Sequence, residues 1–72
     1  MNNQSTQDLT SIIVNSAIGG NKVFFQETLE RLQKKPRLEL LQGICSIIII
    51  FETQGINGCF MKSARQIFNT LL

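Results

Sequence analysis

The chain has no histidine, and it has only two cysteines, Cys45 and Cys59. A four-ligand zinc site therefore cannot be assembled from nitrogen and sulfur donors. The most frequent general base is missing too, and with it most hydrolytic templates. Two cysteines cannot make a disulfide-dense framework. Charge is also scarce: 17% of residues are charged, with a net charge of +2. The first residues, Met1 to Asp8, lack the basic start and apolar stretch of a signal peptide. Near-continuous apolar sequence runs from Leu40 to Phe51, broken by polar Gln42 and Ser46. As a helix it reaches only about 18 Å, against a hydrocarbon core of about 30 Å. A reduced, cytoplasmic setting is the resulting expectation.

What is present is enough to fold. Apolar residues make up 43% of the sequence, whereas disordered chains combine few apolar residues with high net charge. Seventy-two residues specify a single domain spanning 1–72, with 1–5 expected as a flexible N-terminus. A chain of this size buries only about 60% of its unfolded surface, so a lone core is marginal. Disulfides, metals and oligomerisation are the usual remedies. Composition removes the first two, which leaves oligomerisation.

Gly19-Gly20, Pro36 and the segment Gln54-Gly55-Ile56-Asn57-Gly58 divide the chain into four segments. In the first, Ser5 and Asp8 form a capping-box variant. Leu9, Ile12, Ile13, Ala17 and Ile18 then repeat at helical spacing, with Val14 beside them, and Gly19 is the expected stop. The second starts at Asn21, an effective N-cap. Phe25, Leu29 and Leu32 form its stripe, broadened by Val23 and Phe24. Glu27–Arg31 and Glu30–Lys34 are candidate i,i+4 pairs. It ends before Pro36, because the residue preceding a proline is pushed out of the α region.

Pro36 suits the first turn of the third segment, where Leu38, Leu41, Ile44, Cys45, Ile48 and Phe51 trace a helical face. Ile47 to Phe51 are consecutive apolar residues that leave no polar side. They read either as a helix buried all round or as a short buried strand. Length, and the lack of a second strand, favour the helix. In the fourth segment Phe60, Met61, Ala64, Ile67, Phe68, Leu71 and Leu72 recur at spacings of three and four, opposite Lys62, Ser63, Arg65, Gln66, Asn69 and Thr70. This is the cleanest amphipathic pattern in the chain. The expected fold is all-α: a small up-and-down bundle of about four short helices, completed by homodimerisation. The tight Lys35-Pro36 connection leaves a bent pair open as an alternative at that corner.

None of the remaining polar groups assembles a reactive constellation. Cys45 reads as a small buried hydrophobe. Cys59 opens the last helix, about 10 Å along the axis from Cys45, too far for a disulfide. Asp8, Glu27, Glu30, Glu39 and Glu52 are not paired for acid–base work. Gly55-x-x-Gly58 lacks the Gly-Lys-Ser/Thr ending of a phosphate loop and is better explained as a helix–helix turn. No catalytic residue, metal site or cofactor is expected.

The leading expectation is a non-enzymatic helical protein-interaction module, an adaptor, inhibitor or regulator, acting as a homodimer or docked on another protein. Its expected interaction surface is Ile47, Ile49, Ile50, Phe60, Met61, Ile67, Phe68 and Leu71. The alternative is a nucleic-acid-binding regulator that uses Arg31, Lys34, Lys35, Arg37, Lys62 and Arg65, with the last helix as a recognition helix. A third reading is peripheral membrane association or an immunity-type role through that helix.

Overall fold

The computed structural model describes residues 4–72, all of whose regular structure is helical. Helix α1 spans Thr6–Ile18, α2 Lys22–Gln33, α3 Arg37–Gln54 and α4 Cys59–Leu71. The isoleucine run thus lies within a helix. Most of the expected flexible terminus, residues 1–3, lies outside the described residues, while Ser5 is the N-cap of α1 and accepts from the Asp8 N–H at 3.1 Å.

Glycine and asparagine geometry sets the helix ends. The left-handed residue after α1 is Gly20 (φ 71°), one position later than expected, while Gly19 stays in the αR region. Gly20 N–H donates to the Ala17 carbonyl (3.1 Å) and Asn21 N–H to that of Ser16 (2.9 Å). Such a reversed pair of bonds satisfies carbonyls that a helix end leaves orphaned. Asn21 also starts α2, its side chain accepting from Phe24 N–H at 3.1 Å. One residue therefore closes one helix and opens the next. The end of α3 is built in the same way: Gly55 (φ 74°) follows it, and Ile56 N–H donates back to Phe51 at 2.8 Å. Pro36 precedes α3 as its N-cap and does not enter its first turn.

The core is formed by Leu9, Ile13, Val14 and Ala17 of α1, Phe25, Leu29 and Leu32 of α2, Leu40, Ile44, Ile47 and Phe51 of α3, and Met61 and Ala64 of α4. Phe25 ties three helices together, with its ring 4.9 Å and edge-on from Phe60 and 6.4 Å from Phe51. Several faces are rotated from the expected ones. On α1, Thr10 and Ser16 are buried while Ile18 is exposed. On α2, Thr28 is buried while Val23 and Phe24 are exposed. The buried hydroxyls donate to the carbonyl four residues back, at 2.8 to 2.9 Å, so burial leaves no polar group unpaired. On α3 the buried face runs through Leu40, Gly43, Ile44, Ile47 and Phe51, and Leu38 points outward.

The packing order also departs from a simple up-and-down bundle. α1 lies against α3 as well as α2, α3 against α4, and α2 and α3 approach only lightly. Their contact runs through long side chains: Phe25 meets Phe51 near one end, and Leu32 reaches Gly43 near the other. Between α1 and α3, which run in the same direction, small residues allow close approach. A Cβ at Gly43 would lie 3.1 Å from Thr6 Cγ2 and 3.2 Å from Leu32 Cδ1.

Candidate interaction surface

The residues expected to meet a partner divide by burial. Ile47 has no exposed surface and Met61 is also buried, so both belong to the core and drop out of the interaction set. Ile50, Phe60, Ile67, Phe68 and Leu71 are half-buried against that core. Ile49, at 62% exposure, faces solvent. The physical reason is phase. A helix carrying apolar residues all round still turns only one side inward, and the neighbouring helices choose which.

Outward-facing apolar residues fall into two groups. On α3, Leu38 (66% exposed) and Ile49 share a side with half-buried Cys45. Steps of seven and four residues keep the three within about 40° of one another on a helix. Leu72 lies at the same end of the α3–α4 pair as Leu38, because the Arg37 guanidinium donates to the Leu71 carbonyl. The second group is at the α1–α2 junction, where Ile18, Val23 (70% exposed) and Phe24 face solvent. The sequence pattern had assigned these three to the core stripes.

The basic residues do not converge. Arg37 closes the last turn of α4, Arg31 donates to Gln4 Oε1 at 3.4 Å, and Arg65 pairs with Glu52 at 2.9 Å. That pair is the only ion pair among the described residues, so Glu27–Arg31 and Glu30–Lys34 do not close. Lys34, Lys35 and Lys62 are left without an ion-pair partner among the described residues. Lys34 and Lys35 lie at the α2–α3 corner. Lys62 lies in the first turn of α4, about 14 Å along that helix from the Leu71 end that Arg37 touches. Both ends of α3 are tied to α4, by Arg37 and by Glu52. This closes the pair into a hairpin and leaves Arg65 engaged.

No family model, curated protein or solved structure matches the chain. The surface must be read on its own chemistry.

Cys45 and Cys59 are both free thiols, the first half-buried and the second exposed. Among the described residues no group of three or more Cys, Asp or Glu side chains could hold a metal ion. Glu39 accepts from the Thr6 hydroxyl at 3.0 Å, a tie between α3 and α1. No described helix is long and apolar enough to cross a membrane. The apolar face of α4 is turned inward, with Met61 and Ala64 buried and Phe60, Ile67, Phe68 and Leu71 packed against the core. Laying that face on a bilayer would require pulling α4 away from α3.

Proposed function

We propose that this chain is a small non-enzymatic protein-interaction module that acts by self-association. The observation behind this reading is the exposure of large apolar side chains: Ile18, Val23, Phe24, Leu38, Ile49 and Leu72. Scattered single apolar residues need no explanation. Here they gather at two places, and grouped apolar surface on a small domain marks association sites. Small size adds to the argument, because a second copy supplies burial that 72 residues achieve with difficulty alone. The placement of the polar groups also favours binding over chemistry. Glu52 and Glu39 are engaged in ties between helices, and all five carboxylates are exposed. Light scattering across a concentration series tests the reading. The expected result is a mass that rises from monomer toward dimer, and a monomer at every concentration would remove it.

Exposed Lys34 and Lys62, with half-buried Lys35 beside the first, support a second reading, nucleic-acid binding. It requires affinity that falls steeply with salt. A chain that shifts neither duplex DNA nor RNA in low salt would eliminate it.

A further inference from the structure

We propose that Asn57-Gly58, in the turn between α3 and α4, is a site of spontaneous covalent modification. The Asn57 carboxamide is lost as ammonia through a cyclic imide, leaving aspartate and isoaspartate at position 57. The inference is independent of self-association and goes beyond it.

The reaction needs an asparagine followed by a backbone N–H that is unbonded and uncrowded. The Gly58 nitrogen gives its proton to hydroxide and attacks the Asn57 Cγ. A C–N bond forms there, the carboxamide nitrogen takes a proton from water, and ammonia departs. Water then opens the imide. Opening at the side-chain carbonyl leaves aspartate, and opening at the main-chain carbonyl leaves isoaspartate, with the backbone rerouted through the side chain.

The first half of the turn is held. Gly55 N–H donates to the Glu52 carbonyl and Ile56 N–H to that of Phe51, and the Ile56 side chain packs against the core. The second half is not. Asn57 and Gly58 are both exposed. Among the described residues no hydrogen bond engages the Asn57 side chain or the Gly58 N–H. Gly58 has φ 71° and ψ −145°, a region essentially reserved for glycine. A Cβ built there would meet nothing within 4 Å, so the space around it is open. The other described asparagines differ on each count. Asn15 and Asn69 lie inside α1 and α4, where the next N–H belongs to the helix ladder and the next residue, Ser16 or Thr70, has a side chain. The Asn21 side chain is engaged by Phe24 N–H, and Lys22 follows it.

Both products fit the fold. α4 starts with no side-chain cap and no acidic residue in its first turn. A carboxylate just ahead of it suits the positive end of the helix dipole. Isoaspartate adds one carbon to the main chain, in the connection where Gly55 to Gly58 separate the two helices. Either product lowers the net charge of +2 by one unit.

The test incubates the folded chain at mildly alkaline pH beside a matched sample in urea, then digests both with trypsin for mass spectrometry. Trypsin releases the segment 38–62, in which Asn57 is the only asparagine. In the folded sample that segment should gain the mass of an amide turned to an acid, while Asn15, Asn21 and Asn69 stay unchanged. Endoproteinase Asp-N should cut the aspartate fraction before position 57 and spare the isoaspartate fraction. The rate should rise with pH, because the Gly58 nitrogen must lose its proton before it attacks. Asn57→Gln, an exposed substitution, should keep its helical circular dichroism and lose the conversion. Conversion that requires urea, that appears first at Asn15, Asn21 or Asn69, or that persists in the 38–62 segment of Asn57→Gln overturns the proposal.

Discussion

At Gly43 a hydrogen stands where any other residue would carry a Cβ, and the space that atom would need is held by methyl groups of Thr6 and Leu32. Glycine inside a helix costs about 1 kcal/mol relative to alanine, so its presence in α3 is explained by what it admits. Leu32 is wholly buried and has little room to yield. Gly43→Leu should therefore lower stability by about 1–3 kcal/mol through overpacking, read as a fall in the urea midpoint at unchanged m-value. Gly43→Ala should lie near neutral, since the gain in helix propensity is offset by contacts of 3.1 and 3.2 Å. Neither the role of Gly43 nor the burial of Thr10, Ser16 and Thr28 was legible from apolar periodicity. That pattern counts greasy side chains, whereas small residues whose hydroxyls bond their own helix can occupy the core without penalty. They displaced Ile18, Val23 and Phe24 to the surface, which is how an exposed apolar patch escaped the sequence reading.

Helix boundaries were far more legible than helix faces. Ser5, Asn21, Pro36 and Gly55 each mark an end through local chemistry, namely a side-chain cap, a fixed φ or a left-handed turn. Local signals act on their own residues, so sequence alone carries them. The face that α3 buries is set by other helices. A run such as Ile47 to Ile50 is equally apolar at every angle, and only the positions of α1, α2 and α4 select Leu40, Ile44, Ile47 and Phe51 over Leu38 and Ile49. α4, with polar residues opposite its apolar ones, did turn inward the side its pattern indicates. At this scale Asn21 is the most informative position to change. Asn21→Ala removes the acceptor for Phe24 N–H and should cost about 0.5–2 kcal/mol. Thermal unfolding monitored by circular dichroism measures it, and Asn21→Asp or Asn21→Ser should recover most of the loss.

For the molecule as a whole, the sequence conveyed the helical class and the number of helices but not the packing order. The contact of α1 with α3 depends on Gly43 and Thr6 meeting across 37 positions of chain, and nothing local announces such a pairing. The connections that permit it differ in slack. Between α3 and α4, Gly55 to Gly58 form a true turn. Between α1 and α2, Asn21 serves both helices, and no residue is left over for a linker. Chain length is therefore regulated unequally along this protein. One glycine inserted after Gly20 should destabilise the fold by about 1 kcal/mol or more, because either the bond closing α1 or the cap opening α2 must be given up. The same insertion between Ile56 and Asn57 should cost only a few tenths, the small entropy of a longer loop. Chemical denaturation of the two insertion variants compares them directly. In descendants of this chain, gains and losses of residues should accumulate at the α3–α4 turn, while the α1–α2 turn keeps its length even where its sequence drifts.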